Sequence, residues 1–222
     1  GDRAMMGDVT VLLPTLNEAT TVADVVDGMR DEGFDDVLVM DGGSNDGTCE
    51  LARDAGARVE VQTRSGKGQA VREAMRDHID TDYVVMLDAD GTYDPADAHR
   101  LLNCLRNGDA NHAIGERLDA SNASAWPPHR YIGNIAFEAM FEIRRGERWD
   151  ILSGYRAWTR EAWDAMDVDA DGWGVETALA REALQTPGVE TSTIPISYAP
   201  RPDGSESKLS PLVAVPEILA EM

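Results

Sequence analysis

The sequence predicts an α/β fold built on a mostly parallel sheet, and three observations carry that prediction. Short apolar runs at 9–14, 37–40 and 83–87 read as strands buried on both faces. Between them lie longer stretches whose apolar residues recur every three or four positions, as in amphipathic helices. The alternation persists from Val9 to Leu105, the pattern of a sheet wound Rossmann-fashion, with helices on both faces and right-handed crossovers. The 222 residues suffice for one domain over 1–222, and residues 1–6 read as a leader or a cloning remnant without an apolar signal core.

The first strand, 9–14, ends in a turn at 15–17, and a helix follows with Thr20 or Thr21 near its start and Val22, Val25, Val26 and Met29 on its apolar face. Gly33 closes that helix. The second strand, 37–40, stops at Asp41, and the turn-rich loop 42–48 offers Asp46 or Thr48 as the cap of a helix through Cys49, Leu51 and Ala52. A third strand spans 57–61. Gly66 and Gly68 then flank Lys67 at the start of a helix carrying Ala70, Val71, Ala74 and Met75, an arrangement that suits an anion although the P-loop spacing is missing. After the strand at 83–87, a helix begins near Pro95. Residues 113–115 lead into Glu116 and Arg117, a polar loop runs to Pro128, and a helix is expected over 131–145. A short strand and helix follow 150–156, Trp173 to Glu176 opens another helix, and 189–198 reads as an edge strand because Pro195 interrupts it. The loop 201–209 carries the second lysine, and 211–222 starts a last helix.

Composition narrows the partners. The chain has 41 acidic against 20 basic residues, a net charge of −21, which excludes the basic footprint that nucleic acid requires. Only Lys67 and Lys208 are lysines, while apolar content is ordinary, the balance of a cytoplasmic protein adapted to high salt. At ~1 M salt the screening length is only ~3 Å, so repulsion between surface carboxylates is damped. Cys49 and Cys104 read as core or near-core thiols, and no apolar run is long enough to span a membrane. Arg144, Arg145 and Arg148 end the 131–145 helix, where they suit either its dipole or an anionic lipid surface.

The strand at 83–87 stops on Asp88 and Asp90, separated by the small Ala89 and followed by Gly91. Carboxylates at the carboxyl end of such a strand sit where open α/β sheets bind ligands. They can hold one hard divalent ion that leaves coordination sites to water and phosphate, so the stretch is a candidate diphosphate site.

Seven motifs in order then resemble one family: LPTLNE at 13–18, VMDGGSNDGT at 39–48, GKGQA at 66–70, LDADG at 87–91, GER at 115–117, SGYR at 153–156, and the late Arg201 with Ser207-Lys208-Leu209. The chain resembles the family 2 glycosyltransferases of the GT-A fold, and among them the dolichyl-phosphate hexosyltransferases of haloarchaeal N-glycosylation. The resemblance implies that Pro14, Leu16, Glu18 and Asp41 hold the nucleoside, that Asp88, Ala89 and Asp90 form the diphosphate and Mg²⁺ or Mn²⁺ site with Asp90 as direct ligand, and that Arg117, Arg201 and Lys208 bind phosphate. Arg130 and Arg156 are further cations of that kind. It also implies a nucleotide-sugar donor, UDP-glucose in the first instance, a dolichol phosphate acceptor, and a position peripheral to the inner face of the cell membrane. Thr92 stands where some mannose-transferring relatives have a stronger ligand, which leaves GDP-mannose open as donor.

Three alternatives stand beside this reading. A family 2 transferase using a sugar hydroxyl would need a base, for which Asp150 and Glu176 are the candidates. A sugar-nucleotide pyrophosphorylase should show a glycine-rich signature near the first strand, where this chain has LPTLNE. A non-catalytic nucleotide-sugar-binding module would tolerate loss of the two aspartates, and both are present.

Overall fold

The computed structural model describes residues 8–118, 122, 125–202 and 211–222, with backbone alone at 211–213. The expected leader at 1–6 and most of the 201–209 loop, Lys208 included, lie outside these residues.

Seven strands form one sheet in the order β3-β2-β1-β4-β6-β5-β7. The parallel half comprises β1 (Val9–Thr15), β2 (Asp36–Asp41), β3 (Arg58–Val61) and β4 (Tyr83–Met86). Their apolar residues alternate between two cores. Val9, Val11, Leu13, Val37, Val39, Val85 and Leu87 meet α1 (Val22–Asp31), α2 (Thr48–Asp54) and α4 (Asp97–Arg106) on one face. On the other, Leu12, Leu38, Met40, Val84 and Met86 meet α3 (Lys67–Asp77) and α7 (Val175–Gln185). In β1, β2 and β4 both faces are buried, which is why these runs are continuous, whereas β3 at the sheet edge alternates with charged residues and is partly exposed.

The second half mixes directions. Strand β6 (Arg156–Thr159) runs antiparallel to β4 on one side and to β5 (His112–Glu116) on the other, while β7 (Thr191–Pro195) runs parallel to β5 at the edge. Pro195 ends that edge strand, where its missing N–H costs no ladder bond. The short helix α6 (Arg160–Ala165) follows β6 directly, with the Thr159 hydroxyl accepting from Ala162 N at 3.1 Å as its cap. A third cluster joins Ile114, Phe141, Trp149, Ile151, Ala180 and Ile218, seating α5 (Pro128–Arg145) and α8 (Pro211–Glu221) beside α7. Cys104 is buried and Cys49 half-buried, both as free thiols.

Helix α5 departs from the simple amphipathic expectation. Phe141 is fully buried, but Ile132 and Ile143 are 66% and 86% exposed. Eleven residues apart, they project from the same side of the helix, three turns from one another. Arg145 is tied inward, with Nε donating to the Met222 carbonyl at 2.9 Å.

Candidate functional site

The order 3-2-1-4 reverses direction across β1, and the crevice lies beyond the carboxyl ends of β1 and β4. One wall is made by the turns after β1 and β2. The Asn17 N–H donates to Ser44 Oγ and the Glu18 N–H to Thr48 Oγ1, at 2.8 and 2.9 Å, so the two loops are knitted together. Asp41 Oδ2 accepts from the N–H groups of Gly43 and Ser44, both at 2.8 Å, and organises the 42–44 turn from beneath. Pro14 and Glu18 are buried, whereas Leu16 presents its side chain at 40% exposure.

The other wall is the acidic turn. Its first link to α1 is the Thr21 hydroxyl, which donates to the Ala89 carbonyl at 2.6 Å rather than capping its own helix. Gly91 adopts a φ of 75°, the left-handed conformation that lets the chain turn back immediately after Asp90. Asp90 is buried: Oδ1 accepts from the Thr92 hydroxyl at 2.6 Å and Oδ2 pairs with Arg201 at 2.6 Å. Burial, reinforced by the Asp88 charge, raises its carboxyl above the ordinary aspartate value. Asp88 accepts from the Lys67 ammonium and packs against Gly154, where a Cβ would overlap the carboxylate. The donors are hard carboxylate oxygens two residues apart in one turn, the chemistry that Mg²⁺ or Mn²⁺ takes.

The cations differ from a row of free phosphate ligands. Lys67 bridges Asp88 and Glu176; burial alone lowers an ammonium, but the two carboxylates outweigh it and raise Lys67. The anion reading of its turn is corrected by the backbone: the N–H groups of Gly68 and Gln69 donate to the carbonyls of Gly172 and Asp171 at 3.1 and 2.9 Å. Arg117 is buried in a two-pronged pair with Asp150, its Nε and Nη2 reaching the two carboxylate oxygens at 2.8 and 2.7 Å. Its guanidinium also lies over the rings of Trp126 and Tyr198 at 5.0 and 5.5 Å. Arg156 is fully buried, with Nε and Nη2 on the carbonyls of Ser153 and Ile151, both at 3.0 Å. Burial lowers it to about 10. It braces the 151–153 turn instead of standing free beside a phosphate. Arg130 is exposed at the start of α5.

Sequence reasoning missed the support beneath the site. Tyr93 packs edge-on against Tyr155 and Tyr198, with ring centres 5.1 and 5.4 Å apart, and Trp126 stacks on Tyr198 at 4.5 Å. The Tyr93 hydroxyl accepts from Gly154 N at 3.0 Å, fixing the glycine on which Asp88 rests. The glycine of the SGYR motif was the available signal; the tyrosines are scattered and gave none.

A mostly parallel sheet that carries an acidic pair at its carboxyl edge, beside the point where the strand order reverses, is the plan of a GT-A glycosyltransferase. The chain belongs to glycosyl transferase family 2, whose profile matches residues 10–178. It is 50% identical over 205 residues to the glycosyltransferase AglJ of Haloferax volcanii, covering 92% of this chain and 67% of that protein. It is 33% identical over 211 residues to a dolichyl-phosphate hexose transferase of the same organism, covering 92% and 87%. Glucosyl-3-phosphoglycerate synthase from Mycobacterium tuberculosis, solved with Mn²⁺ and UDP-glucose, superposes with a TM-score of 0.77 at 22% identity, covering 100% of this chain and 82% of that one. A second complex of that enzyme, holding Mg²⁺ and UDP, gives 0.78 over the same shares.

Proposed function

We propose that the protein moves a hexose from a nucleotide sugar, UDP-glucose, to dolichol phosphate with inversion at the anomeric carbon. The observation that supports this most is the state of the two candidate bases. Asp150 is 1% exposed and paired to Arg117, and Glu176 is 5% exposed and paired to Lys67. Neither is poised to take a proton from a hydroxyl, whereas a phosphate monoester, with a second pKa near ~6, arrives ionised and needs no base.

Pro14, Leu16, Glu18 and Asp41 would line the nucleoside, and Asp88, Ala89 and Asp90 the diphosphate. Mg²⁺ or Mn²⁺ held by Asp90 and Asp88 would neutralise charge on the diphosphate leaving group. Arg201, already on Asp90, adds a second cation on that side. An acceptor phosphate oxygen attacks the anomeric carbon from the face opposite the diphosphate; the new C–O bond forms as the old one breaks, and the nucleoside diphosphate departs. Lys208 would orient the acceptor phosphate, while Arg117, held by Asp150, would brace the wall beside it. The exposed side of α5, with Ile132, Ile143 and Arg144, would rest on the inner face of the membrane that carries the lipid. No helix among the described residues is long and apolar enough to cross it.

The test offers dolichol phosphate, free dolichol and a simple glycoside in parallel with the same labelled donor. Transfer to the phosphate alone is expected, with a rate that falls below about pH 6 as the acceptor protonates. Comparable transfer to the alcohol or the glycoside overturns the reading and returns Asp150 or Glu176 to the role of base.

A further inference from the structure

Lys67 joins two carboxylates contributed by distant parts of the chain. Its ammonium donates to Asp88 Oδ1 at the end of β4 and to Glu176 Oε1 in the first turn of α7, and its side chain is only 11% exposed. Both ends of this bridge are fixed by backbone. A Cβ on Gly68 would overlap the Ala170 carbonyl, so the start of α3 lies flush against 170–172, the segment that leads into α7. Trp173 N donates to the Glu217 carboxylate at 2.7 Å, pinning that segment from the far side. The Asp88 carboxylate lies between the Lys67 ammonium, which it accepts from, and Gly154, where a Cβ would overlap it.

Charge bookkeeping gives the arrangement a purpose. Lys67 and Asp88 alone would form a neutral pair, and a neutralised carboxylate attracts a divalent ion weakly. Sharing the ammonium with Glu176 leaves the trio with a net charge of about −1 while still fixing the direction of Asp88. We infer that Glu176 is a positioning residue: it draws on the Lys67 ammonium and thereby keeps Asp88 both oriented and negative towards the donor diphosphate and its metal ion. This rests on the proposed role of Asp88 but not on the identity of the acceptor.

The test measures Mn²⁺ affinity in the presence of UDP, read from the electron paramagnetic resonance of the free ion, for the wild type, E176Q, K67M and K67M/E176Q. Donor KM and kcat and the melting temperature of each are recorded alongside. Glutamine keeps the shape and an acceptor for Lys67, so E176Q folds. Its Mn²⁺ affinity falls about tenfold, the usual effect of losing a residue that orients a metal ligand, and donor KM rises more than kcat falls. In the K67M background the same substitution changes affinity by less than about twofold, because Glu176 acts through the lysine. Unchanged affinity in E176Q, with kcat down by ~10²-fold or more, identifies a base and overturns the inference. An equal loss in both backgrounds, or no Mn²⁺ binding in any variant, overturns it too; should K67M fail to fold, E176Q alone decides. Failure of transfer to dolichol phosphate with the affinity pattern intact removes the acceptor reading only.

Discussion

Arg201 reaches Asp90 Oδ2 across 2.6 Å, so the segment after β7 closes onto the carboxylate that follows β4. The closure is prepared by backbone: Tyr93 and Tyr198 form a bridge, and Ala199 N donates to the Thr92 carbonyl at 2.9 Å. A cation from the segment after β7 is thereby brought beside the acidic turn.

Asp90→Asn should separate activity from stability. The carboxyl is raised by burial and by Asp88, so its ionised form is held at a cost that asparagine removes. Melting should stay within a few degrees of wild type, while transfer falls at least about a hundredfold through loss of charge stabilisation at the leaving group. A fully active variant would take Asp90 out of the site.

Gly154→Ala probes the floor under Asp88. The added methyl overlaps the carboxylate, and the glycine is held by the Tyr93 hydroxyl, so the aspartate must turn instead. A stability loss of about 1–3 kcal/mol is expected from the overpacking, with a larger proportional loss of donor affinity. Calorimetric titration with UDP and Mn²⁺ on the folded variant checks the second part; unaltered affinity would mean that the direction of Asp88 is immaterial.

Glu138 supplies a pH dependence. Burial, then the nearby Asp150 charge, raises it to about 7 from 4.5, and its Oε1 has no hydrogen-bond partner among the described residues. The unfolded chain releases this proton near 4.5 while the folded one keeps it to about 7, so stability falls across that window as pH rises. Glu138→Gln should leave melting at pH 4 almost unchanged and raise it at pH 8 by ~3 °C or more, the shift that ~1 kcal/mol produces in a domain of this size. Equal effects at both pH values would show that the carboxyl titrates normally.

The outer side of α5 can be tested on vesicles. Ile132→Glu with Ile143→Glu should cut sedimentation with anionic liposomes by at least about tenfold, since each isoleucine would bury ~1.5–3 kcal/mol of apolar surface. Charge reversal at Arg144 and Arg148 should weaken binding mainly at low salt. Undiminished sedimentation in the isoleucine pair would leave α5 without a lipid contact.

Much of the fold was legible because β1, β2 and β4 are buried on both faces and announce themselves as unbroken apolar runs. Strand β6 was harder: four residues, one of them a buried arginine, give no period, and its direction is set by pairing with β4 and β5 rather than by its own composition. At the site, the position of the aspartates followed from the strand they terminate. The pairing of the cations did not, since Arg117 meets an aspartate 33 residues away and Lys67 a glutamate 109 residues away. Charged residues read singly look available; only the folded chain reveals which are already neutralised. For α5 the limit is of another kind: periodicity over 131–145 records that a helix has an apolar side without recording what that side touches, and Ile132 and Ile143 face outward.

The placement of β6 between β4 and β5 also governs how the protein is made. Residues Tyr83–Met86 leave a ribosome well before Arg156–Thr159, the strand that covers their free edge. At ~5–20 residues per second, the intervening stretch takes roughly 4–14 s to synthesise. During that interval the nascent parallel half holds an uncovered, almost wholly apolar border, the kind of template on which chains pair with one another. Pulsed hydrogen exchange on the refolding protein should find the ladder amides between β4 and β6 protected after those between β1 and β2; simultaneous protection would mean that the border is never exposed.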